Sequence, residues 1–381
     1  MRLVLSSISL FVMLVLLIPA NAQNVSVRKF DRSIELADSG YTSSYVSAGD
    51  VDGDGDLDLL LSTGRHWDAL LRAYPNDGKG GFSSSSPLGS QGFPSYGAPL
   101  VDLNGDNSLD VAIGTDRPAE KPVFLNDGKG SFRRAGSFGD AQMITRNIVI
   151  ADLNGDRFPD IVVANRGGGN FVFLNDGKAR FARSMPVGTA ADHTVTIAIA
   201  DVDGDRRPDL LLANRDGQQC AVYRNEGDGR FVYFKPIGPT NADTRAIAAG
   251  DLNGDGFPDA VASHLGAETV AYFNDGKGGF SSSLTLEKHP RVQPGTDSGS
   301  YSISITDLNR DGRADIVLGR VGANSVFFNL GDGRAFREVP FGDSMAVTYQ
   351  MAVADLNADG FPDISTATSG RLSRVYFSAP E

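Results

Sequence analysis

The chain is short of the residues that staple or catalyse. Cys220 is the only cysteine among 381 residues, so no intrachain disulfide can form. The four histidines, His66, His193, His264 and His289, are scattered, with no obvious nucleophile set beside a base. Tryptophan occurs once, at Trp67. No basic run or aromatic-basic module is present, which removes support for nucleic-acid binding. Long apolar runs are also missing. The one candidate, Ile8 to Ile18, is broken by Ser9 and is short for a membrane span. With Arg2 before it and Ala20-Asn21-Ala22 after it, residues 1–22 read as a secretory signal. The expected mature chain, 23–381, is secreted (extracellular or periplasmic), monomeric and free of any further membrane span.

What is present is a repeat. A nine-residue stretch typified by DLNGDGFPD begins at Asp50, Asp102, Asp152, Asp201, Asp251, Asp307 and Asp355, in steps of 52, 50, 49, 50, 56 and 48 residues. Every copy has Asp at places one, five and nine and Asp or Asn at place three. One match in an Asp-rich chain would mean little, but seven near-periodic ones are the signature of a fold.

Crowded acid groups imply a cation. Two carboxylates about 4 Å apart repel by roughly 4 kcal/mol at an effective dielectric near 20. Side chains at places one, three and five of a tight loop converge, and place nine returns to close it. The candidate metal ligands are therefore Asp50, Asp52, Asp54 and Asp58; Asp102, Asn104, Asp106 and Asp110; Asp152, Asn154, Asp156 and Asp160; Asp201, Asp203, Asp205 and Asp209; Asp251, Asn253, Asp255 and Asp259; Asp307, Asn309, Asp311 and Asp315; and Asp355, Asn357, Asp359 and Asp363. An all-oxygen set favours Ca²⁺, up to seven ions at one per repeat, over a transition metal or Mg²⁺. The residue at place seven varies freely, which suits a ligand taken from the backbone carbonyl. Each copy has Gly at place four or six, where the turn calls for positive φ. The alternative is a set of solvated Asx-type turns without metal. The formal charge of −12 follows from the same feature, since 24 of the 47 acidic residues lie in these loops.

Around each loop run short apolar segments, such as Ile197 to Ala200 before it and Leu210 to Ala213 after it. A third run leads into a turn reading NDGKGGF from Asn76, with close versions from Asn126, Asn175, Asn225, Asn274 and Asn329. Asn/Asp-Gly between apolar runs signals a hairpin. A fourth strand is expected to start at the aromatic that ends the turn. Four short strands repeated seven times give an all-β, seven-bladed β-propeller of antiparallel blades. Only two runs follow the last loop, while Val25 to Leu36 precedes the first. That N-terminal strand is expected to complete the last blade and close the ring.

The loops, the NDGKG turns and their spacing resemble the FG-GAP/VCBS repeat family, whose repeats also build the integrin α-subunit propeller. The resemblance spans essentially all of the mature chain. It implies calcium held by places one, three, five and nine with the carbonyl of place seven. Arg310 and Ala358 depart from Gly at place four, and Arg157 and Arg206 occupy place six, which implies weaker binding in those loops.

Propeller topology puts the Asp loops and NDGKG hairpins on one face. On the other, the turns between strands two and three carry Arg65, Arg117, Arg166, Arg215, His264, Arg320 and Arg371. The links between blades carry Asp38, Asp140, Asp192, Asp243, Asp297 and Asp343. These cations could form a ring that holds carboxylates or sugar acids, or could pair with the aspartates between blades. Trp67 and the long link Lys288 to Tyr301 are weaker pointers to a ligand. The function expected is non-catalytic recognition or adhesion, with a protein or glycan ligand. The alternative is a polysaccharide lyase or hydrolase with its site on the face opposite the calcium loops.

Overall fold

The fold is seen in a computed structural model that describes residues 26–37, 39–40, 42–82, 85–288 and 299–381. The expected signal, Val25, Asp38, His289, Asp297 and most of the link before Tyr301 lie outside the described residues. Seven four-stranded antiparallel sheets stand in a ring, each numbered here by the Asp loop it carries. In blade 4 the strands are Thr194–Ala200, Asp209–Asn214, Cys220–Asn225 and Phe231–Ile237, in that spatial order from the axis outward. Among the described residues no helix is long and apolar enough to cross a membrane.

The core lies between blades. Each of seven apolar clusters mixes residues of two adjacent blades; one joins Val162 and Val172 of blade 3 to Leu210 and Leu212 of blade 4. Sheets flanked by neighbours on both faces need apolar residues on both sides. The second strands accordingly read as continuous buried runs, such as Asp160–Asn165 and Asp209–Asn214. Place two of every Asp loop, from Val51 to Leu356, is a buried aliphatic that plugs the top of this core.

Ring closure follows the expectation. Arg28–Glu35 pairs antiparallel with Arg374–Pro380 and becomes the outer strand of blade 7. Phe30 packs against Phe341 of blade 6, with ring centroids 5.6 Å apart.

Two strand expectations are corrected. The fourth strand starts at the aromatic in blades 2, 4 and 6, but later in three others: at Ser86 rather than Phe82, at Arg183 rather than Phe181, and at Ser282 rather than Phe280. The outer strand is bound on one side only, so its ladder tolerates the slip. In blade 2 the innermost strand is split into Ser95–Gly97 and Leu100–Val101. Pro99 sits in the break, where it has no N–H to give to a ladder.

Candidate functional sites on the two faces of the ring

Each Asp loop is a tightly wound coil tied by its own carboxylates. In blade 5, Asp251 accepts the N–H groups of Gly254 at 2.7 Å and Gly256 at 2.8 Å, Asn253 accepts that of Asp255, and Asp255 accepts that of Phe257. The winding needs left-handed backbone at places four and six in all seven loops. Non-glycine residues accept it at Asn107, Arg157, Arg206, Arg310 and Ala358, with φ of 67°, 73°, 67°, 60° and 55°.

The place-nine aspartates are fully buried in every blade. In Asp209, one oxygen accepts the N–H of Val202 at 3.1 Å and the other that of Asn225 at 2.8 Å. Burial pushes Asp58, Asp110, Asp160, Asp209, Asp259 and Asp363 up to about 6, and Asp315 up to about 7, despite those two amide bonds. A carboxylate buried this deeply is stabilised by any cation that reaches it.

In the two loops where places one, three and nine are all Asp, the three carboxylates converge. Carboxylate oxygens of Asp50, Asp52 and Asp58 lie within 4.8 Å of one another, as do those of Asp201, Asp203 and Asp209. In the first group Asp52 Oδ1 is buried without any hydrogen-bond partner, and burial with the nearby Asp54 charge raises its pKa. Place five is engaged differently in two loops: Asp205 pairs with Arg207, and Asp311 with Arg313, the place-seven residue in each case. In the five loops with Asn at place three, that of blade 6 included, the place-five carboxylate also takes the Asn amide, as in Asn253 to Asp255 at 2.9 Å.

The NDGKG turn does more than reverse the chain. Besides its N–H bond to the place-nine Asp of its own blade, its Asn side chain reaches the preceding blade. Asn126, Asn175, Asn225, Asn274 and Asn329 donate to the place-two carbonyls of Val51, Leu103, Leu153, Val202 and Leu252, at 2.7 to 2.9 Å. Asn76 reaches Leu356 at 2.8 Å and carries the chain of bonds across the ring closure. Six equivalent asparagines thus tie six of the seven Asp loops, all but that of blade 6, to the next blade. The constant Asn was visible in the sequence, but only its turn propensity was read there.

On the opposite face, the predicted cations are dispersed and mostly paired. Arg117 faces Asp68 at 3.6 Å, Arg166 faces Asp216 at 3.5 Å, Arg215 faces Asp243 at 3.9 Å, and Arg371 bonds Asp343 at 2.9 Å. Arg320 pairs with Glu287 and Glu338. His264 is buried, bonded to Thr244 at 2.9 Å and Tyr272 at 3.0 Å, and burial lowers its pKa. Trp67 is half exposed beside His66.

Arg65 behaves differently, because it turns inward. Its guanidinium lies 3.9 Å from the ring centre of Tyr349, at the axial mouth of the propeller. The mouth is built by one repeated device. In blades 2 to 7 a β-bulge near the start of the innermost strand leaves one residue outside the ladder: Tyr96, Arg146, Val195, Arg245, Tyr301 and Tyr349. Together with Ser44 of blade 1 they line a cavity of about 250 Å³. All seven stand six residues before place one of their Asp loop. That fixed offset was the available signal, but the residue types differ, so no motif marks it.

Arg146 Nε lies 2.6 Å from Asp116 in an ion pair, and Asp116 is also bonded to His66. Arg245 stacks 4.6 Å from the centre of Tyr301, which meets Tyr349 edge-on at 5.1 Å. Arg245 is only 8% exposed, and no acidic side chain among the described residues pairs with it.

Known proteins resemble the chain in part and in fold. Integrin alpha-7 of Mus musculus is 37% identical over 84 residues, 18% of this chain and 7% of the integrin, and the Rattus norvegicus protein matches equally. The chain therefore spans a small part of these relatives. A solved Agrocybe aegerita lectin, described as recognising non-reducing terminal N-acetylglucosamine, aligns at a TM-score of 0.55 and 22% identity over 78% of this chain and 80% of the lectin. BBS1N in complex with ARL6DN aligns at 0.63 and 15% identity over 93% and 97%. The FG-GAP-like repeat matches residues 50–113, 102–163, 152–212, 201–262 and 307–365, and the chain belongs to that repeat family.

Proposed function

We propose that the protein is a secreted recognition module, a propeller stiffened by calcium that presents a binding surface for a protein or glycan. The observation that carries the calcium reading is Asp52 Oδ1, a buried carboxylate oxygen without a partner, beside Asp50 and Asp58. Hard oxygen donors, a partly buried cluster and a place-nine carboxylate raised by burial fit Ca²⁺ in its usual coordination. Asp205 and Asp311, already paired with arginine, are less free to ligate, so place five contributes less in loops 4 and 6, although Asp201, Asp203 and Asp209 of loop 4 still converge.

Bound calcium would neutralise the clustered acids and stiffen the loops that the asparagine bridges join to the next blade. Loops with three or four carboxylates suit extracellular calcium, at a Kd on the order of 10⁻⁴ to 10⁻³ M. Support for export comes from the signal-like residues 1–22. Metal loops would then replace the disulfides that a chain with Cys220 alone cannot make. The fold shared with a lectin and the integrin segment are consistent with recognition, though each name belongs to its own protein.

A glycan-array screen of the purified chain with Ca²⁺ and with EGTA tests this reading. Saturable, calcium-dependent binding without product formation is expected. Turnover of a polysaccharide would favour the lyase or hydrolase alternative.

A further inference from the structure

The axial mouth carries an unbalanced charge. Arg65, Arg146 and Arg245 converge on it, whereas Asp116 is the acid that bonds one of them. Arg65 and Arg245 rest on tyrosine rings, and cation–π contacts recover only part of the lost hydration of a guanidinium. Asp116 holds Arg146 in a fixed pose and leaves part of its fork unused. The rest of the lining is rich in hydroxyls and amides, including Ser302 and Gln350.

We infer that the axial mouth, on the face opposite the Asp loops, is a site for the carboxylate of a uronic-acid residue in an acidic glycan, with Arg245 as its main anion contact. This rests on the recognition reading above and names the ligand class. A cavity of about 250 Å³ equals roughly eight water volumes, the scale of one sugar unit rather than a longer segment. A guanidinium fork matches a carboxylate in two parallel hydrogen bonds. The hydroxyl and amide groups of the lining match the hydroxyls of the sugar. A peptide carboxylate would satisfy the arginines but would leave those hydroxyl partners unused.

The test uses the full mature chain with calcium and short oligogalacturonates as probe, followed by calorimetry and by the fluorescence of Trp67 near the mouth. Binding is expected to saturate, and methyl-esterified probe, which lacks the charge, is expected not to bind. Arg245→Gln should weaken binding roughly ten- to hundred-fold while the melting temperature holds or rises. Arg245→Lys should restore part of it. Arg146→Gln is the second variant should Arg245→Gln fail to fold, and it should weaken binding also. Equal binding of the ester, or of both Gln variants, would overturn the proposal, as would an acidic peptide binding at Arg245 where the oligogalacturonate does not. Another glycan or protein bound independently of Arg245 would sink this site and leave the recognition reading standing. No binding to any glycan or protein would sink both.

Discussion

The two ends of the innermost strands obey different rules. At the exit end, each strand runs into an Asp loop of nearly invariant chemistry, with a buried place-nine carboxylate in all seven copies. At the entry end, six residues earlier, the same strands present serine, tyrosine, arginine, valine, arginine, tyrosine and tyrosine. A position that every blade fills alike meets a need of the blade itself. A position that each blade fills differently is used once, by the ring as a whole. On this view the loop face belongs to the stability of each blade, and the mouth is the place for the selectivity proposed above.

Removing metal should break the comparison most severely. Calcium that binds only the folded chain adds RT ln(1 + [L]/Kd), about 1.4 kcal/mol per site at tenfold excess over Kd. Calorimetry with EGTA should therefore show a large fall in melting temperature that Ca²⁺ reverses and Mg²⁺ does not. An unchanged melting point would remove calcium from the account of the loops.

Next in size is Asp209→Ala. It orphans the buried N–H groups of Val202 and Asn225, at roughly 1–3 kcal/mol each. Urea denaturation should register a loss of about 2 to 6 kcal/mol. Asn225→Ala leaves the Leu153 carbonyl without its inter-blade donor and should cost about 1 to 3 kcal/mol. Should its cost differ between calcium-loaded and stripped protein, the bridge and the metal are coupled.

Changes on the opposite face should be small. Arg371→Ala removes a partly exposed pair with Asp343 and should shift stability by less than about 1 kcal/mol in the same assay. Smallest, and of opposite sign, is Ala358→Gly. Ala358 holds φ of 55°, so glycine there should stabilise by up to about 1 kcal/mol. A loss on that substitution would show that the loop has little strain to relieve.

The sequence made the ring legible because its determinants are local and repeated. Loop, hairpin and the missing fourth strand of blade 7 could all be counted along the chain. The mouth was not legible, because it is assembled by bulges whose effect depends on closure into a circle. Arg146 and Arg245 lie in short apolar-polar strands and look like ordinary strand polar residues until seven such strands meet. Arg65 was read as one of a set of equivalent turn residues. Its partner Tyr349 comes from the far end of the chain, a contact no spacing rule announces. The break at Pro99 was readable in principle, since a proline in a central strand argues against an unbroken ladder.

The outer strand of blade 7 also sets an order of events. Within blades 1 to 6 each sheet joins neighbouring stretches of chain, contacts that form early and quickly. Arg28 meets Ser378 across 350 positions, so this one seam cannot form until the chain has been made through the last strand of blade 7. Docking of one eight-residue strand completes blade 7, and a peptide copying Arg28–Glu35 is an obvious competitor for it.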